Sequence, residues 1–124
     1  MRVLISLFPV LLASACTPTV LSAADYDSSC AANSDCVITT FGDQCAACSI
    51  QFAAINDAAL DALAADREAA AAACPPWSDR FHVECVLVVP ETRPVCTDEK
   101  CVIPESGGDE CTFEDGFCRG VEPP

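Results

Sequence analysis

Eleven of the chain's 124 residues are cysteine. In a chain this short, that usage points to an oxidising compartment and to a fold held by disulfides more than by a large apolar core. The number is odd, so one thiol must stand apart from any complete pairing. Setting Cys16 aside leaves 11 − 1 = 10, namely Cys30, Cys36, Cys45, Cys48, Cys74, Cys85, Cys96, Cys101, Cys111 and Cys118, enough for five bridges. The length allows one domain.

The N-terminal pattern singles out the same Cys16. Met1-Arg2 is a short basic lead, residues 3–15 are apolar, and small residues close the run, as in an export signal. The run is too short to cross a bilayer, which takes about 20 apolar residues. Leu12-Ala13-Ser14-Ala15-Cys16 resembles a bacterial lipobox, in which the cysteine is acylated with a diacylglyceryl group and becomes the new N-terminus. Ala13 stands where that motif prefers Leu, Val or Ile. Ala13-x-Ala15 and Ser22-x-Ala24 also suit an ordinary signal peptidase. Lipidation and the later cut both take Cys16 out of pairing, whereas a cut after Ala15 strands a thiol. Thr17 is not the aspartate that resembles an inner-membrane retention signal, which leans toward the outer membrane or the cell surface. The expected layout is a signal peptide over 1–15, a lipid-anchor cysteine and tether over 16–29, a disulfide-stapled domain over 30–104, and an acidic C-terminal disulfide loop and tail over 105–124.

The charge balance, 6 Lys+Arg against 19 Asp+Glu, argues against nucleic acid and against electrostatic docking on an anionic membrane. The membrane partner implied by the pattern is reached through a lipid on Cys16, and a surface protein or ligand is the other partner to expect.

The longest periodic stretch is 52–73, where Phe52, Ile55, Leu60, Leu63, Arg67 and Ala70 recur at helical steps. Twelve alanines lie between residues 53 and 73. They favour a helix but bury little area. Asn56 is a candidate N-cap after an irregular lead-in over 49–55, and Cys74-Pro75-Pro76 ends the helix. Asp57 and Asp61 suit the positive end of the helix dipole. Cys36-Val-Ile-Thr-Thr-Phe41 reads as a strand ended by Gly42-Asp43, residues 81–89 as a second, and 95–97 with 100–103 as a hairpin about Asp98-Glu99. Ser106-Gly107-Gly108 reads as a flexible joint, and Cys111 to Cys118 as a loop closed on itself. The expected fold is α+β: a small disulfide-rich domain with one long helix packed on a short three- to four-stranded sheet.

Helix geometry limits the bridges. From Asn56 to Ala73 the axis rises about 26 Å, while a disulfide needs α-carbons within about 7 Å. Cys74 is therefore not expected to pair with Cys45 or Cys48. Its expected partner is Cys30 or Cys36, then Cys85, with Cys45 and Cys48 reaching toward Cys85, Cys96 or Cys101.

No catalytic set, cofactor motif or metal site is expected. Cys45-x-x-Cys48 before a helix resembles a thiol-disulfide redox site, yet the βαβ frame of that fold is missing and structural pairing is the simpler reading. Zinc would need a second Cys-x-x-Cys, and only Cys96-x4-Cys101 is present. His82, the sole histidine, lies in an apolar run with nothing marking a nucleophile or carboxylate for it. Asp109, Glu110, Glu114 and Asp115 lack EF-hand spacing and read as a solvated acidic loop. Residues 88–95, with Arg93 between two prolines, could form an inhibitor-type loop.

Taken together, Cys30-x5-Cys36-Val37, Cys45-x2-Cys48, Ala54-Ile55-Asn56, Cys74, Cys85 and Pro94-Val95-Cys96-x4-Cys101-Val102 resemble a group of small cysteine-rich exported proteins, many of them predicted lipoproteins, of myxobacteria and relatives. The likeness spans residues 30–103 and implies an envelope location without a known activity. The function to expect is that of a disulfide-stabilised, lipid-anchored cell-envelope protein with a structural or binding role, at the outer membrane or cell surface, or else periplasmic or secreted. The alternatives are a redox protein using Cys45 and Cys48, or a small protease inhibitor.

Overall fold

The computed structural model describes residues 16–76, 84–105, 109–113 and 115–123. Among the described residues, six strands and one α-helix make an α+β domain: β1 (Val20–Leu21), β2 (Cys36–Asp43), β3 (Ile50–Asn56), α1 (Leu60–Ala72), β4 (Val95–Thr97), β5 (Lys100–Val102) and β6 (Cys118–Arg119). The expected signal peptide, Trp77 to Arg80, His82 and the first three residues of the expected 81–89 strand lie outside the described residues, as do Ser106-Gly107-Gly108 and Glu114. No helix among the described residues is long and apolar enough to cross a membrane.

β2 organises the sheet. Its β-branched run suits a pleated strand, and β3 covers one edge from Cys36↔Asn56 to Gly42↔Ile50. The other edge is shared: β1 pairs with Gly42 and Asp43 at one end, and β6 with Val37 and Ile38 at the other, all antiparallel. Gly42 allows the close approach of the chain as it enters β3. It sits at φ +123°, and a Cβ there would fall 1.8 Å from the Ser49 carbonyl oxygen, so no other residue fits.

Two expectations are corrected here. The helical period does not start at Phe52, because residues 50–56 are β3 and the helix proper begins at Leu60. Alanine's helix preference is a weak prior, and it yields to a register that places Ile55 opposite Val37, both fully buried. Asn56 does cap the turn that follows, its side chain accepting from the Ala58 N–H at 2.9 Å. The layout of the termini also differs. Leu21 is buried in the core and Val20–Leu21 is a strand, so the stretch expected to be a tether is built into the sheet from residue 20. At the other end, β6 returns the expected acidic tail to β2.

Alternation along β2 gives it two buried faces. Val37 and Phe41 pack with Leu21, Ile55 and Leu63 of α1. Arg67, one helical turn beyond Leu63, donates to the buried Thr39 Oγ1 at 2.9 Å and to the carbonyl and hydroxyl of Thr40. Burial holds the Arg67 pKa below its ordinary value. Tyr26 leans on Phe41, ring centroids 5.6 Å apart, and its hydroxyl donates to Asp66 at 2.7 Å. On the opposite face, Cys36 packs with Cys30, Cys101, Cys96 and Ala54.

The β4–β5 hairpin forms as the spacing predicts. Asp98 and Glu99 both adopt positive φ, 52° and 60°, the backbone of a type I′ turn made here without glycine. Cys30 N–H donates to the Glu99 carbonyl and Cys101 N–H to Ser28, tying the hairpin to the segment before β2. Asn33 Oδ1 accepts from Cys96 N–H at 2.9 Å, a second tie. Residues 84–89 join no strand, contrary to the expectation for 81–89.

Candidate functional site

The chemistry of this chain is concentrated in its sulfurs, and all eleven cysteines fall among the described residues. Ten pair as Cys30–Cys96, Cys36–Cys101, Cys45–Cys74, Cys48–Cys85 and Cys111–Cys118, with Cα–Cα distances of 5.8, 5.4, 5.3, 5.4 and 6.1 Å. All lie in the range a disulfide accepts. Cys16 alone is free, and it is exposed.

Cys45–Cys74 overturns the exclusion drawn from helix length, and Cys30 and Cys36 are not the partners of Cys74. The helical rise was sound but its starting point was not. β3 carries the chain about 20 Å away from Cys48, and α1 brings it back over about the same distance. Cys74 therefore returns to the level of Cys45. Cys48 does reach Cys85, one of the partners expected for it. The Cys111–Cys118 loop closes on itself.

Cys45 and Cys48 are thus committed to different partners, 29 and 37 residues downstream. A dithiol redox site must oxidise within the motif, and this arrangement does not. Among the described residues, the nearest thing to a metal cluster is Cys30, Cys36 and Cys101, whose sulfurs lie within 4.8 Å of one another and are buried. That closeness follows from the hairpin register: Cys96 and Cys101 stand directly opposite each other, so their bridges run side by side. Oxidised sulfur is not the thiolate that zinc requires.

Of the remaining sequence candidates, Asp57 and Arg93 bond within the fold. Asp57 forms an ion pair with Arg119 at 2.7 Å, both partly exposed, and Asp61 is exposed on the first turn of α1. Arg93 is half-buried, its guanidinium donating to the Arg119 carbonyl at 2.8 Å, and its N–H to the Asp109 carbonyl. The guanidinium bond lies at the surface and the backbone bond ties the segment to Asp109. Asp35 accepts from the Ala31 and Ala32 N–H groups at 2.9 and 3.0 Å, and these bonds hold its pKa below the usual carboxylate value. Asp27 is lowered likewise through Ser29. Tyr26 moves the other way, raised from 10.0 to about 12 by desolvation first and then by the hydrogen bond to Asp66 and its charge.

Two features escaped the sequence reading. The pairing of Tyr26 with Asp66 joins residues 40 apart, and no local signal marks it. The apolar run Val86-Leu87-Val88-Val89 was legible in part: a run without alternation must be buried on both faces or be a surface. The structure makes it a surface. These disulfides mark a small stabilised protein of the extracellular type. No protein-family model, curated protein or solved structure matches the chain.

Proposed function

We propose that this chain is an exported lipoprotein of the bacterial cell envelope, anchored through a diacylglyceryl group on Cys16 and carrying a disulfide-stabilised domain with a structural or binding role. One observation carries the reading: of eleven cysteines, Cys16 alone has no partner, and it is exposed ahead of the first strand. The even pairing of the other ten removes the need for it in the fold, and it is the residue that the lipobox-like sequence marks. The leader over residues 1–15, the threonine at position 17 and the resemblance to small cysteine-rich lipoproteins of myxobacterial type support a place at the outer membrane or cell surface.

The test is an intact mass of the protein from a bacterial envelope, before and after reduction and alkylation. An acyl mass on Cys16 with five disulfides is expected, together with loss of that mass and release from the membrane in Cys16→Ser. A mature chain beginning at Asp25, or an unmodified Cys16 thiol, would overturn the anchor.

A further inference from the structure

Residues 86–89 depart from the economy of the rest of the molecule. Val86 is 98% exposed, Val88 86%, Val89 43% and Leu87 42%. Single exposed apolar residues are ordinary, whereas a contiguous run marks an interaction surface. The run is displayed, since both its ends are held. Cys85 is bridged to Cys48 ahead of it, and Thr92 pairs with Glu110 behind it, with Cys111 N–H donating to the Glu91 carbonyl.

No hydrogen bond joins residues 86–89 to any other described residue, so their peptide groups are free for a partner strand. Beside them opens a groove of about 1030 Å³. Val88, Val89, Ile103 and Pro104 supply its apolar lining, and Glu91, Glu105 and Glu110 its charge. Among the described lining residues there is no lysine, arginine or histidine.

These features select one kind of occupant. Unpaired backbone calls for another backbone in extended form, and the apolar lining calls for side chains at alternate positions. Three glutamates without a counter-charge call for lysine or arginine between them. A second copy of the chain would bring the same glutamates and a net charge of −13, and an anionic membrane would be repelled in the same way. We propose that residues 86–92 and this groove are the docking strip for an extended basic segment of a partner protein, which adds as a strand along 86–89 and sets its cationic side chains beside Glu91, Glu105 and Glu110. The proposal rests on the binding half of the function proposed above and is independent of the lipid.

The experiment uses the exported chain with its disulfides formed and two labelled probe peptides, one alternating valine with lysine and one alternating valine with glutamate. Amide shifts in the NMR spectrum and fluorescence anisotropy read binding. The lysine peptide is expected to perturb residues 86–92 and 103–105. Its affinity should fall about tenfold when Glu91→Gln, Glu105→Gln and Glu110→Gln are combined, and again in Val88→Ser or when alternate peptide nitrogens of the probe are methylated. Equal binding of the glutamate peptide, shifts located elsewhere, or unchanged affinity in the triple variant would overturn the proposal. So would self-association through this strip, or preferential binding to phosphatidylcholine vesicles. A Cys16→Ser chain should bind the peptide as the parent does, which separates failure of the docking strip from failure of the anchor.

Discussion

On one face of β2, Val37 and Phe41 meet Ile55 and Leu63 in a cluster of ordinary hydrocarbon side chains, whereas on the other Cys36 lies against Cys30, Cys101, Cys96 and Ala54, with Ile38 buried two residues further along the strand. The two faces are stabilised by different mechanisms. Hydrocarbon burial acts on the folded state in proportion to the area removed from water. An alanine-rich helix supplies little of it: Leu63 and Ala70 are the residues of α1 that are fully buried. The bridges on the other face act largely by restricting the unfolded chain, the more so for long loops. Cys30–Cys96 and Cys36–Cys101 span 66 and 65 residues, so the longest closures lie on the cysteine-rich face.

Breaking the sulfur face should have the larger effect. Cys36→Ala combined with Cys101→Ala is expected to cost about 4 kcal/mol, against about 2 for Cys111→Ala with Cys118→Ala, whose loop is short. Urea unfolding followed by circular dichroism measures both, and equal losses would mean that loop closure is not what these bridges contribute. Next comes the hydrocarbon face, where Leu63→Ala should cost about 3 kcal/mol through lost burial and a cavity. If the faces are independent, adding it to the double cysteine variant gives the sum of the two losses.

A smaller effect, of opposite sign, is expected at the tip of the hairpin. Combining Asp98→Asn with Glu99→Gly puts the residue pair that a type I′ turn favours where two less suited residues now hold positive φ. The double substitution should stabilise by about 1 kcal/mol, read as a higher urea midpoint with an unchanged slope.

The smallest effect is spectroscopic. Tyr26 is the only tyrosine in the chain, so phenolate absorbance titrates it alone. Its midpoint is expected at about 12, above the ordinary 10.0. Because the folded pKa is raised, its contribution to stability is fully present below pH 10 and is lost as the pH rises through that midpoint. Asp66→Asn should lower the midpoint, since the carboxylate's hydrogen bond and charge both disfavour the phenolate. A midpoint unmoved by Asp66→Asn would mean that burial alone sets it.

Where information is local, the sequence was readable. The β-branched run of β2, the two halves of the hairpin, the Asn56 cap and the short Cys111–Cys118 loop each depend on a few neighbouring residues, and each stands where its residues imply. The stretch 50–56 was not readable in this way. Alanines at 53 and 54 favour a helix, and only the partner strand β2, where Ile38 pairs with Ala54 and Thr39 with Ala53, makes them a strand. The same holds for 84–89, whose strand-like composition finds no strand to pair with among the described residues.

By itself the sequence determined the class of the molecule: a small α+β domain, ten cysteines in even number, and an odd one left over, because composition, parity and short-range pattern need no knowledge of the path of the chain. The choice of bridges belonged to the tertiary structure. Cys74 meets Cys45 because β3 carries the chain outward by about as much as α1 returns it. Residues 29 apart in sequence can be brought within bonding distance only by what folds between them.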